Sequence, residues 1–394
     1  MYNMADSNNW KASIKATERF ENIEKIQKVA PQINAFSIEV AAFQNSNSKE
    51  EYLHAINLAA LPPVQQPSSP TTQPAPAPSP PDHLPSTATP GKRIGLHQSC
   101  HYIASGITSE VYRTSDSTIA LKVIINTNIP PHNPRREAKI LESLSHKNII
   151  PLIGAFTDPL TSDFVLSFPY QPSALSSVPL PLSPSLVLPI FTSLFSALSY
   201  LHSQSIIHRD VKPSAVLLSA TYQVCLSDFG TAWHPALSAS DEPARGKILD
   251  VGTGPYRAPE TLFGNAGYGP EVDIWAAGCT LAECLAGETL FTCPPSHEDG
   301  NQLALISSIF RTLGTPTRET WPEAEGFNTP PFNYMVYEGK KWEELLKGVE
   351  KRWKGVVQGC IKYESRSRMK AEEVVRLLEG WNDEAGSSKA SASI

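Results

Sequence analysis

The hydrophobic pattern changes period near residue 95. From there on, short runs rich in β-branched and aromatic residues come first: Tyr102-Ile103, Glu110–Arg113, Ile119–Ile125 and Phe164–Phe168. Each has the length of a strand rather than of a helix. A helical segment over Arg135–Leu144 interrupts them. After Ser183 the pattern is mostly helical, opening with Leu186–Leu201, with one further strand-like run at Gln223–Leu226. A small sheet-rich lobe followed by a larger helical lobe predicts an α+β, two-lobed architecture with a cleft between the halves.

Upstream, residues 8–60 carry helical spacing. Phe20, Ile23, Ile26 and Val29 share one face, and Ser48-Lys-Glu-Glu51 has the form of a capping box ahead of Tyr52, Ile56 and Leu58. So short a stretch is a helical appendage or a docking segment. Residues 62–90 hold 11 of the chain's 35 prolines, and Asp82 is their only charged side chain. Proline fixes φ and removes backbone donors, which predicts an extended linker, with a ligand for proline-recognising domains as the alternative. The expected division is 1–61 helical extension, 62–90 disordered linker, 95–381 catalytic domain split near 168–172, and 382–394 disordered tail.

Charge and cysteine content narrow the class. Net charge is −6 over 394 residues, with no long Lys/Arg run, which argues against nucleic acid and anionic membrane as partners. The six cysteines (Cys100, Cys225, Cys279, Cys284, Cys293, Cys360) are scattered, with no CxxC pair, as reduced thiols would be. The N-terminus lacks the apolar core of a signal peptide, and no apolar run of 18 or more residues is evident in the sequence. The expected setting is the cytosol or nucleus.

Chemistry enters with ordered motifs. His208-Arg209-Asp210-Val211-Lys212-Pro213 follows the helix ending Tyr200-Leu-His202, and Asp228-Phe229-Gly230 follows 18 residues after Asp210. Tyr256-Arg257-Ala258-Pro259-Glu260 and Asp273-Ile-Trp275 come next. Any one of these is commonplace, and Lys122, Glu137 or Asp273 taken singly reads as a surface charge or a helix cap. In this order and spacing they resemble the eukaryotic protein kinases across residues 95–381.

The resemblance implies an enzyme that uses ATP and Mg²⁺ to phosphorylate proteins. Asp210 would orient the acceptor hydroxyl and take its proton. Lys212 would neutralise the moving phosphoryl group and is the mark of a Ser/Thr kinase. Lys122, in Ala120-Leu-Lys122, would grip the phosphates, paired with Glu137, and Asp228 would hold the metal. Ile103, Val111, Ala120 and Leu217 would sandwich the adenine, although each could equally be a core residue of its lobe. Phe168-Pro169-Tyr170-Gln171 would form the hinge between lobes, and Gly106 would lie over the phosphates. Thr253 would steady Asp210 and Lys212, and Arg209 would face the activation segment. Glu260 and Arg368 would form a buried structural pair. Tyr256–Glu260, Tyr268–Trp275, Ile309–Pro316 and Trp321-Pro322 resemble the cyclin-dependent group in particular.

Three positions depart from the family pattern. The phosphate-covering loop, Ala104-Ser-Gly-Ile-Thr-Ser-Glu-Val111, keeps one glycine of three. Ala215 stands where an asparagine holds a second metal ion. Ile248 stands where cyclin-dependent kinases carry their activating threonine, leaving Asp241 or Asp250 as candidate acidic substitutes. With Gly254-Pro-Tyr256 and no PSTAIRE-like helix, the chain looks similar to single-subunit fungal kinases that activate cyclin-dependent kinases. That implies a monomer acting on another kinase without a cyclin. The alternatives are a pseudokinase scaffold and a proline-directed kinase with its own cyclin.

Overall fold

The computed structural model describes residues 91–127, 129–293 and 300–391, together with 48–59 and the isolated positions 22, 25, 42, 43 and 46. The helix face through Phe20 and the linker 62–90 therefore lie outside the described residues. The chain divides into two compact units, Met1–Ser86 and Thr87–Ile394.

In the first unit, helix α1 spans Lys49–Ala59. The expected cap is present: Glu51 N donates to Ser48 Oγ at 3.2 Å. Tyr52 and Ile56 are fully buried, while Leu58 is exposed. Phe43 meets Tyr52 edge-on at 5.6 Å.

The second unit opens with a six-stranded antiparallel sheet in the order β1-β2-β3-β4-β6-β5. Its strands are β1 Lys92–Ile94, β2 His97–Ser105, β3 Ser109–Arg113, β4 Ile119–Ile124, β5 Gly154–Thr157 and β6 Phe164–Pro169. Alternation along β4 sets the two faces. Leu121 and Val123 turn into a small core with Ile94, Cys100, Tyr112 and Val165. Ala120 and Lys122 take the opposite face, paired with Phe168 and Leu166 on β6. Helix α2, Pro134–Ser143, starts cleanly because Asn133 Oδ1 accepts from Arg136 N at 2.9 Å and Pro134 occupies the first turn. β1 and β5 went unread in the sequence, being short and lacking a β-branched pattern.

The larger lobe is helical: α3 Pro184–Ser203, α4 Pro259–Leu262, α5 Glu271–Ala286, α6 Gly300–Leu313, α7 Trp342–Leu345, α8 Lys351–Cys360 and α9 Ala371–Ser391. A three-stranded sheet, β7 Ser173–Ala174, β8 Val216–Leu218 and β9 Val224–Leu226, edges it. By length and composition α3 could cross a membrane, contrary to the sequence reading. Its apolar side chains are otherwise engaged: Val187, Ile190, Phe191, Leu194, Phe195, Leu198 and Leu201 are buried in the lobe's core. α5 runs through the centre of that core. A Cβ on Gly278 would come within 2.7 Å of Cys360 Cβ, so this glycine lets α5 and α8 approach. The backbone of α9 is helical through Ser391, past Trp381.

Arg368 and Glu260 form a bidentate pair at 2.7 and 2.8 Å, and both are almost wholly buried. Arg368 also lies 5.0 Å over the Trp275 ring and donates to the carbonyls of Lys362 and Glu271. Removing one partner leaves a buried charge uncompensated. Arg368→Met is expected to lower unfolding free energy by about 3–5 kcal/mol, read as a reduced urea midpoint. A loss below about 1 kcal/mol would contradict this account of the pair.

Candidate active site

The catalytic loop takes its shape from one buried carboxylate. Asp273, at the start of α5, has no exposure. Its Oδ2 accepts from His208 N at 2.9 Å and its Oδ1 from Arg209 N at 2.8 Å. His202 Nε2 lies 2.9 Å from Oδ2. Burial opposes the charge on Asp273, but bonds from His202 and the nearby His208 outweigh it and hold the carboxyl below its usual range. The grip holds Arg209 in the left-handed region at φ 70°, where few non-glycine residues sit. Asp210 is thereby turned towards the activation segment. In the sequence Asp273 reads as a motif marker or a helix cap; its bonds make it the anchor of the loop.

Asp210, Lys212 and Thr253 close a triangle. Lys212 Nζ lies 2.5 Å from Asp210 Oδ2 and 2.8 Å from Thr253 Oγ1, and Thr253 Oγ1 donates to Asp210 Oδ1 at 2.6 Å. The hydroxyl thus accepts from the lysine and donates to the carboxylate. It fixes the Asp210 carboxylate from the activation-segment side.

A second charge cluster joins the lobes. Lys122 Nζ donates to Glu137 Oε1 at 2.8 Å, to Glu137 Oε2 at 3.0 Å and to Asp228 Oδ1 at 2.8 Å. Burial disfavours a charged Lys122, but Asp228 and Glu137 more than offset it and keep the ammonium above its ordinary pKa. Asp228 is held well below the carboxylate range, chiefly by the charge of Lys122 against the effect of burial. Glu137 is pushed up, because burial and the neighbouring Asp228 outweigh what Lys122 returns. Asp228 is half-exposed, so one side of its carboxylate faces open space. Gly230 is closely packed here: a Cβ would stand 3.2 Å from His132 Nδ1 and 3.4 Å from Glu137 Oε2, tight against both side chains. Phe229 is buried and meets His208 edge-on at 4.8 Å.

The remaining sequence-derived positions fall along the cleft face of the small lobe or below it. Val111 pairs with Ala104 and with Lys122. Ala120 pairs with Phe168. Ile103 sits at a register irregularity in β2 and is 41% exposed. Gly106 closes the β2–β3 turn, its N–H bonded to Ser109 O at 2.8 Å. Tyr170 N bonds Thr118 O, tying the hinge to β4's approach, and Gln171 follows it. Leu217, on β8, pairs with Ala174 and Cys225. Ala215 is buried, and its carbonyl takes bonds from Ser227 N and Ser227 Oγ.

Arg209 does not meet either acid expected of it. Asp250 is exposed and pairs with Arg257 at 2.8 Å, and Asp241 is exposed. The acid on Arg209 is Glu242, at 2.5 and 3.1 Å. Sequence alone does not say which acid of a looped segment folds inward. The one available signal was the second arginine of Arg135-Arg136-Glu137, which also reaches Glu242, at 3.0 Å.

A bonded lysine–glutamate pair between a sheet and a helix, a half-exposed aspartate beside it and an anchored Asp–Lys–Thr loop define a phosphotransfer cleft. The family model for the protein kinase domain matches residues 99–377. The chain belongs to the protein kinase family and has the two-lobed kinase fold. It is 34% identical over 278 residues to Serine/threonine-protein kinase csk1 of Schizosaccharomyces pombe, covering 68% of this chain and 89% of the relative. It is 29% identical to cyclin-dependent kinase 7 of Carassius auratus over 72% of this chain and 83% of that one. To the CTD kinase subunit alpha of S. pombe it is 32% identical over 71% of this chain and 44% of that one. A solved structure, the yeast RNA Pol II CTD kinase CTDK-1 complex, matches with TM-score 0.59 and 26% identity, covering 74% of this chain and 95% of that chain. The chain is a Ser/Thr protein kinase of the cyclin-dependent-kinase-like group, a family that transfers phosphate from ATP with a divalent metal.

Thr253→Val removes both hydroxyl bonds at near-constant volume. It is expected to lower kcat on the order of 100-fold with little change in KM for ATP, while Thr253→Ser stays near wild type. A Thr253→Val enzyme with wild-type kcat would show that Asp210 is fixed by other means.

Proposed function

We propose that this kinase is catalytically active as a single chain and phosphorylates the activation segment of cyclin-dependent kinases. The observation that carries activity is the Lys122 bridge to both Glu137 and Asp228, which joins the small lobe to the metal-binding position in one bonded arrangement. Asp210 orients the acceptor hydroxyl and receives its proton. Lys212, two residues on, offsets charge on the phosphoryl group in flight. Lys122 is the cation for the α- and β-phosphates. Ile103, Val111, Ala120 and Leu217 enclose the adenine, with Phe168, Tyr170 and Gln171 at its edge and Gly106 above the phosphates.

Asp228 offers one carboxylate donor to Mg²⁺, with Oδ1 also bonded to Lys122. Its carboxylate is half-exposed and ionised, and a cation held there would neutralise charge on the phosphates. Ala215 supplies no side-chain oxygen, and its carbonyl is already taken by Ser227. A second ion therefore meets one ligand fewer than the family pattern provides. We expect Ala215→Asn to lower the Mg²⁺ concentration giving half-maximal rate severalfold. An unchanged Mg²⁺ requirement would contradict this weakness.

The choice of substrate rests on the sequence similarity to single-subunit activating kinases, which also favours a monomer in the cytosol or nucleus. The competing reading is a partner-dependent kinase, favoured by the CTDK-1 neighbour having been solved as a complex. The test is transfer of labelled phosphate by the purified chain onto a cyclin-dependent kinase with an unphosphorylated activation segment. Wild type is expected to label the segment's threonine, and Asp210→Asn to lose at least about 1,000-fold. Activity appearing only with a co-purified subunit would establish the competing reading. No transfer under either condition, with nucleotide bound, would make the chain a scaffold.

A further inference from the structure

Glu242 lies outside every motif, yet no acid in the described large lobe is more thoroughly engaged. It is 1% exposed, and its two oxygens accept four bonds. Oε1 takes Arg136 Nη1 at 3.0 Å and Arg209 Nη2 at 3.1 Å. Oε2 takes Arg209 Nη1 at 2.5 Å and Ile248 N at 3.1 Å. These donors belong to three separate elements: α2 of the small lobe, the catalytic loop and the activation segment.

We propose that Glu242 is a positioning residue for phosphoryl transfer: its carboxylate locks α2, the catalytic loop and the activation segment into the one arrangement that completes the site. Arg136 immediately precedes Glu137, the partner of Lys122, and Arg209 immediately precedes Asp210. One anion therefore fixes the neighbours of both charge clusters at once. Both arginines are buried, and without Glu242 their guanidiniums would repel across a space where no other acid among the described residues is bonded to them. The surrounding bonds hold Glu242 in turn. Trp233 Nε1 donates to its carbonyl at 2.9 Å, and Tyr268 OH, itself bonded to Ile248 O at 2.8 Å, accepts from Arg209 Nη1 at 3.0 Å. Burial disfavours charge on Glu242, but the Arg209 bonds and the two guanidinium charges keep it ionised.

The contact to Ile248 supplies the functional consequence. Ile248 has no hydroxyl to modify, and its backbone N–H is already bonded to the acid that occupies the arginine pair. The activation segment is thereby drawn onto Arg209 and Arg136 by a side chain present from synthesis. The arrangement needs no covalent phosphate to form.

This proposal rests on the kinase reading, and its test separates the two. Glu242→Gln keeps the shape and removes the charge. Rates are measured on myelin basic protein with ATP and Mg²⁺, per nucleotide site counted with a fluorescent ATP analogue, so that unfolded protein does not register. We expect kcat per site to fall about 20-fold or more, with KM for ATP changed less. Arg136→Gln should fall similarly, and the double variant no further. In parallel, trypsin cleavage after the exposed Arg245 is expected to be severalfold faster in both variants than in wild type. Phosphatase-treated wild type should keep its rate. Wild-type kcat in Glu242→Gln, additive losses in the double variant, or inactivation by phosphatase would each overturn the proposal. Should wild type transfer no phosphate at all, the kinase reading fails, and the trypsin rates still decide: equal cleavage in wild type and variants overturns the lock. Should Glu242→Gln not fold, Arg136→Gln carries the same comparison.

Discussion

The carboxylate of Asp273, sealed at the start of α5, accepts the backbone N–H groups of His208 and Arg209 and so fixes where Asp210 stands. Most of the site depends on that grip. α5 is almost entirely buried and cannot shift without opening the core of the large lobe. The loop it holds is correspondingly rigid, with Arg209 in a left-handed conformation that local sequence would not choose. Rigid placement of charge is what phosphoryl transfer demands of a protein, because the chemistry asks for positioning and electrostatics rather than covalent help.

Three ionic clusters extend that rigidity outward. Lys122 with Glu137 and Asp228 joins the sheet to α2 and to the segment before Phe229. Lys212 with Asp210 and Thr253 joins the catalytic loop to the end of the activation segment. Glu242 with Arg136 and Arg209 joins the segment's middle to both of the others. Each is an anion–cation set held by direct hydrogen bonds, which offset the cost of burying its charges, although Arg136 Nε in the third is buried with no partner among the described residues. Together they leave Asp228 half-exposed.

Much of this was legible in the sequence, for reasons that can be named. β4 and β6 showed themselves as short runs rich in β-branched and aromatic residues, and α3 as a longer segment of helical pattern. Lys122, Glu137, Asp210, Lys212, Asp228 and Thr253 could be singled out because they sit in ordered motifs at fixed spacing. β1 and β5 could not be read: Lys92–Ile94 is three residues long, and Gly154–Thr157 opens on glycine. The partner of Arg209 was missed for a different reason. The segment from Trp233 to Arg257 has little periodicity, and the acids the sequence suggested there were Asp241 and Asp250, not Glu242. Only the folded path, pinned by Trp233 and Tyr268, decides which acid turns inward.

Single-turnover transfer tests the central claim most directly. The purified chain is loaded with γ-labelled ATP and Mg²⁺ and mixed with excess myelin basic protein, with a Lys122→Met chain beside it. The account requires label on serine or threonine of the substrate from the wild-type chain alone, and a rate at least about 100-fold lower from Lys122→Met. Full nucleotide occupancy without any transfer by the wild-type chain would contradict it.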